Sequence, residues 1–107
     1  MKILLDHCVP QPLRTMLPGH DVVSSGFMGW DGLRNGLLLK TAAAAGFDVL
    51  LTTDKQMPYQ QNLATLPIAI LLVSSLGTRL QDIRPVLPQV LEALEKLQPR
   101  TLVEVHP

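Results

Sequence analysis

Asp48-Val49-Leu50-Leu51-Thr52-Thr53-Asp54-Lys55 decides how this chain is read. It opens on an apolar run of strand length and ends on two hydroxyls, a carboxylate and an ammonium in consecutive positions. A buried strand that stops on such a cluster delivers polar groups to one edge of a sheet. In open α/β sheets that carboxyl edge is where ligands and chemistry sit. A second run, Lys2-Ile3-Leu4-Leu5-Asp6, ends the same way. The reading therefore centres on a frame that brings Asp6 and Asp54 together.

Working outward, His20-Asp21-Val22-Val23 is a further short strand. Pro67-Ile68-Ala69-Ile70-Leu71-Leu72-Val73 is the most apolar one, too continuous to be half exposed. Arg100 to Val105 is a last strand, expected at an edge. Between the strands lie helical patterns. Val9-Pro10-Gln11-Pro12 opens a helix running to Leu17, since proline is tolerated in a first turn. Leu33 to Ala45 reads as a helix stopped by Gly46. Leu80, Ile83, Leu87, Val90, Leu91, Leu94 and Leu97 recur at helical spacing, so Thr78 to Leu97 is helical, kinked or split at Pro85 and Pro88. The glycine-rich stretch from Ser24 to Gly36 is a loop around Trp30, read as its packing anchor. Met57 to Leu66 is a loop with one helical turn and an unusual polar run, Tyr59-Gln60-Gln61-Asn62. Strands alternating with helices mean a three-layer α/β/α fold with a mainly parallel sheet of about four to five strands. Its ends at Asp6, Thr53-Asp54 and Ser74-Ser75 share one edge.

The totals bound the partners. A chain of 107 residues with 47% hydrophobic residues is one domain with an easily built core. Nine basic and nine acidic residues give no net charge, so any nucleic-acid contact has to come from a local patch. One cysteine allows no intramolecular disulfide and no cysteine-rich zinc site, which fits a reducing cytoplasm. The N-terminal apolar run is too short for a signal peptide or a membrane span.

Two carboxylates converging at a sheet edge repel each other and are best satisfied by a hard divalent cation, Mg²⁺ or Mn²⁺. The competing reading is that each aspartate caps the turn or helix after its strand. Lys55 is either a phosphate partner or a solvated charge. Thr53, at the strand end, is placed to orient Asp54 or a water. His7 adjoins the site, and Cys8 reads as a small buried hydrophobe. His20 and His106 have no spacing partner and read as surface. Arg34, Lys55 and Arg79 fall where a small basic rim would be.

These motifs together resemble the compact PIN-like proteins described as predicted nucleases of toxin–antitoxin systems. The match runs nearly end to end. It comprises Lys2-Ile3-Leu4-Leu5-Asp6 followed by Pro10 and Leu13, then His20-Asp21-Val22, Gly29-Trp30 through Asn35-Gly36-Leu37-Leu38, and Phe47 through Lys55. The resemblance implies a PIN-like fold and an Mg²⁺-dependent endoribonuclease acting on RNA. It makes Asp6 and Asp54 metal-binding acids, with Asn35 in a supporting position. It also implies a cognate antitoxin protein as partner, with self-association as a further option. Related sequences usually carry an acidic residue where this chain has Leu37, and Asp31 is the nearby carboxylate that would replace it. With Leu37 apolar, a catalytically inactive PIN-like binding protein is the alternative. A receiver-like signalling module is a further one: Leu50 to Asp54 before Met57-Pro58 resembles a phosphoacceptor strand, and Ser74 falls where receivers place a hydroxyl.

Overall fold

The computed structural model describes residues 1–75 and 77–107. Five strands form one sheet in the order β2-β1-β3-β4-β5. They are β1 (Lys2–Leu5), β2 (Asp21–Ser24), β3 (Val49–Thr52), β4 (Ala69–Val73) and β5 (Leu102–Val105). Every neighbouring pair is parallel. The expected architecture is therefore the observed one, with β5 at an edge.

The central strands are apolar on both faces because both faces are covered. Successive side chains in a strand point to opposite sides. Ile3, Leu5, Val49, Leu51, Ala69 and Leu71 accordingly join one buried cluster, and Leu4, Leu50 and Ile70 join the other. The first cluster is closed by Leu13 and Leu17 after β1 and by Ile83, Val86, Val90 and Leu94 near the C-terminus. The second is closed by Leu38, Leu39 and Ala42 of helix α1 (Asn35–Ala44), with Met57 and Leu66. Burial of a large aliphatic side chain is worth about 1.5–3 kcal/mol, so these two clusters are the main force holding the three layers together.

Prolines set the helical details. The helix expected from Val9 to Leu17 is a short 3₁₀ turn, Gln11–Thr15, after an extended Pro10. Pro12 falls in its first turn, where a missing amide costs nothing, while Pro18 disfavours the α conformation at Leu17 and limits extension. The long C-terminal helix is split as its prolines require, into α3 (Leu80–Ile83), a 3₁₀ turn (Arg84–Val86) and α4 (Leu87–Lys96). The expected single turn after β3 is α2 (Met57–Gln60), followed by a 3₁₀ turn at Leu63–Thr65. Helix α1 ends at Gly46, whose φ of +87° is a conformation that a side chain disfavours. Trp30 packs edge-on against Phe47, with ring centroids 5.8 Å apart, and so anchors the glycine-rich loop.

Strand order reverses between β1 and β3. From the end of β1 the chain turns onto the face of the first cluster, and from the end of β3 onto the face of the second. Connections that leave adjacent strands in opposite directions open a crevice at their carboxyl ends. Asp6 and Asp54 follow the two strands that flank it.

Candidate functional site at the strand-order reversal

The β1–β3 register pairs Leu4 with Leu50 and Leu5 with Leu51. One step further, Asp6 comes opposite Thr52. Asp6 is 2% exposed and Thr52 fully buried. The Thr52 hydroxyl donates to Asp6 Oδ2 at 2.8 Å and accepts from the Asp54 backbone N–H at 3.1 Å. One buried hydroxyl thus links the two aspartates. The other Asp6 oxygen, Oδ1, accepts from the His7 backbone N–H at 2.8 Å and lies 3.1 Å from His7 Nδ1.

Asp54 is half-buried. Its Oδ1 accepts from the Gln56 N–H at 3.0 Å, an Asx turn, and its Oδ2 accepts from Asn35 Nδ2 at 3.4 Å. Asn35 opens α1 and also donates to Gln60 Oε1 at 2.9 Å. The capping alternative therefore holds for Asp54, which secures the turn before α2. For Asp6 it holds in part: Oδ1 accepts from the His7 N–H in the turn after β1, while Oδ2 accepts from Thr52. The 3₁₀ turn that follows β1 starts at Pro10 with no side-chain cap.

The remaining candidates divide. His7 lies against Asp6 with its side chain 64% exposed. Thr53 does not orient Asp54: its hydroxyl donates to Cys8 Sγ at 3.1 Å. Cys8 is half-buried rather than fully buried, and its sulfur also lies 3.6 Å from Thr52 Oγ1. Lys55 is exposed and lines a small cavity of about 70 Å³ with Thr53, Ser75 and Thr78, between the ends of β3 and β4. Ser74 is half-buried, and its backbone N–H donates to Val105 O at 2.8 Å. Asp31 accepts from Ser25 Oγ at 2.6 Å in the loop after β2, on the side of β1 away from β3. Arg79 is likewise engaged elsewhere, 3.2 Å from Asp82.

Leu37 is 55% exposed. It lies two residues beyond Asn35, about 200° round the helix at 3.6 residues per turn. Asn35 is the α1 side chain that reaches Asp54, so a carboxylate at position 37 would project from a different face. Of the other histidines, His106 pairs with Glu104 at 3.0 Å. His20 is half-buried, 3.3 Å from the Met1 amine. Burial, then the charge of that amine, lower its pKa, while Glu95 pulls the other way.

Thr52 is the residue that sequence reasoning undervalued. The signal was available: Leu4, Asp6, Leu50 and Thr52 share one strand parity, whereas Thr53 has the other.

The donor set bears on a metal ion. Among the described residues no group of three or more His, Cys, Asp and Glu side chains comes together as a metal site. The crevice instead has the Asp6 carboxylate on the Thr52 hydroxyl and the Asp54 carboxylate on the Asn35 amide and the Gln56 N–H. Mg²⁺ usually keeps several waters and is held by one or two carboxylates, and the set fits an ion of that kind. It does not fit one that needs a full protein cage. Asp6 would contribute through Oδ2, whose second lone pair has only the distant Cys8 Sγ at 3.9 Å.

Comparison with known proteins returns no match among protein-family models, curated proteins or solved structures. Among the described residues no helix is long and apolar enough to cross a membrane.

Proposed function

We propose that this chain is a PIN-like ribonuclease, the toxin component of a toxin–antitoxin pair, dependent on Mg²⁺ or Mn²⁺ and acting at the crevice between β1 and β3. One observation carries the reading: two aspartates at the ends of adjacent central strands, joined through the Thr52 hydroxyl where strand order reverses. In this reading Asp6 and Asp54 hold the ion. When bound, such an ion neutralises phosphate charge and supplies hydroxide near neutral pH.

The chain's own residues set the geometry. Thr52 and the His7 amide fix the Asp6 carboxylate, and Asn35 and the Gln56 amide fix that of Asp54. Lys55, exposed beside Asp54, is the nearest cation in sequence to steady a phosphate. The RNA substrate and the antitoxin partner rest on the motif resemblance rather than on the site. A PIN-like protein that has lost catalysis and acts by binding an antitoxin or a second copy is the second reading. The burial of Asp6 favours it, since each oxygen accepts a protein donor and little of the group is exposed. The strand order does not discriminate against a receiver-like module, because doubly wound sheets of this order serve several chemistries.

Isothermal calorimetry with Mg²⁺ and Mn²⁺ tests the reading. The wild type is expected to bind with a dissociation constant on the order of millimolar, as for sites of few ligands, and Asp6→Asn and Asp54→Asn to lose that heat. Absence of binding by the wild type would remove the nuclease mechanism and leave the binding protein.

A further inference from the structure

The two edge strands of the sheet differ. β5 carries Glu104 paired with His106, the kind of charge that guards a natural edge against further pairing. β2, at the other edge, has only Asp21 at its first position. Its bonds to β1 use one parity. The Asp21 N–H donates to Met1 O and the Ser25 N–H to Leu5 O, each at 2.9 Å, and the register puts Val23 between them in the same ladder. Val22 and Ser24 therefore turn their main-chain groups away from β1. Among the described residues, the Val22 N–H and C=O and the Ser24 N–H have no hydrogen-bond partner.

A cavity of about 400 Å³ follows this edge. It is lined by Val22, Val23 and Ser24, by Gln11 and Arg14 of the first 3₁₀ turn, and by Phe27. The Ser24 hydroxyl accepts from Gln11 Nε2 at 3.2 Å and from the Phe27 N–H at 3.1 Å, so turn, strand and loop are tied together. Phe27 is nonetheless 82% exposed. Arg14 is exposed too and in no ion pair among the described residues, and no aspartate or glutamate lines the cavity. Unpaired main-chain groups, a bare apolar ring and an uncompensated guanidinium thus stand side by side.

We propose that β2 is a docking edge for an extended peptide, which adds as a further strand and brings an acidic side chain to Arg14 and an apolar one to Phe27. Main-chain bonds to Val22 and Ser24 supply affinity, and alternate side chains supply the choice of partner. Side chains on one face of a strand recur at every second position, so the acidic and apolar residues stand two apart. A second copy is a poorer occupant. Two β2 strands paired antiparallel about a twofold axis keep both 3₁₀ turns on one face, which sets Arg14 near its own counterpart. Asp21 cannot compensate, because it has the parity of Val23 and lies toward the opposite face. β1 separates this edge from the crevice between β1 and β3, so the inference does not rest on the nuclease reading.

The probes are two labelled, threonine-rich synthetic peptides that carry one glutamate and one phenylalanine two positions apart, in either order. Fluorescence anisotropy is expected to show one of them binding the wild type with a dissociation constant below about 1 mM. Lysine in place of the glutamate is expected to weaken binding about fivefold, and Arg14→Glu to reverse that preference. Phe27→Ala is expected to weaken it about tenfold. N-methylation of peptide amides of one parity should abolish binding, and of the other parity leave it intact, because only one set faces the edge. Hydrogen exchange followed by NMR should show the Val22 and Ser24 amides slowing when the peptide is bound. Circular dichroism melts of the two variants, both at exposed positions, confirm that each is folded. No binding by either peptide, equal tolerance of N-methylation at both parities, or indifference to the exchange of glutamate for lysine overturns the proposal. A dimer of the free wild type in sedimentation, with the Val22 amide protected, also overturns it and gives the edge to a second copy.

Discussion

Replacing Thr52 by valine tests whether its hydroxyl holds the site together. The two side chains have nearly the same shape, so the strand and its packing stay intact and no cavity opens. The change removes a donor to a carboxylate that is 2% exposed and an acceptor for the Asp54 N–H. A hydrogen bond to a charged group is worth about 1.5–3 kcal/mol, and an ordinary one about 1 kcal/mol. Asp54 is half-buried, so water replaces part of the second bond. The expected loss is about 2–4 kcal/mol, a large share of the roughly 5–15 kcal/mol that stabilises a typical domain. At about 4 °C per kcal/mol the melting temperature falls by roughly 8–16 °C. Urea unfolding of wild type, Thr52→Val, Asp6→Asn and the double variant measures the coupling directly. Asp6→Asn removes the charge that strengthens the bonds from both the His7 N–H and the Thr52 hydroxyl. The two single effects should therefore overlap by more than about 1 kcal/mol in the double variant. A loss below about 0.5 kcal/mol for Thr52→Val, or strict additivity, would refute the argument that this hydroxyl links the aspartates.

Three other positions are tested as follows. Asn35→Asp adds a carboxylate where α1 meets Asp54, so it should lower stability without metal, tighten Mn²⁺ binding, and regain stability as Mn²⁺ is added; Leu37→Asp, on another face of α1, should leave Mn²⁺ affinity unchanged in the same calorimetric titration. His20 has a lowered pKa, so the folded state resists protonation that the unfolded chain accepts. Its contribution is complete above the unfolded value near 6.5 and is lost as pH falls from there toward the folded pKa, so wild type should lose more stability than His20→Gln between pH 7.5 and 5.5 in urea unfolding, roughly a unit either side of that value.

The sheet was legible because its signals are local. Leu4-Leu5, Leu50-Leu51 and the run from Ala69 to Val73 are apolar on consecutive positions, which only strands covered on both faces tolerate. Pro85 and Pro88 mark their breaks by missing amides, whatever the helix packs against. The first helix was misread because the inward spacing of Leu13, Met16 and Leu17 suits a 3₁₀ turn with its flank as well as an α-helix. What Asp31 and Arg79 do was not legible. Ser25 and Asp82 are short-range partners that the loop backbone selects, and they engage both side chains.

The site itself was half legible, for a physical reason. Strand ends announce the carboxylates, but which hydroxyl meets which carboxylate depends on register, and that is a tertiary quantity. Thr53 looked the better candidate because it stands next to Asp54. The parallel register gives that part to Thr52, and the Thr53 hydroxyl donates to Cys8 instead. The same holds for α1. The motif resemblance directs attention to position 37, whereas helix geometry turns Asn35 toward Asp54 and leaves Leu37 exposed on another face. A carboxylate missing at position 37 is therefore weak grounds for an inactive site. The stronger argument against catalysis is the burial of Asp6 among its own donors. Metal binding by the wild type is the measurement that weighs the two.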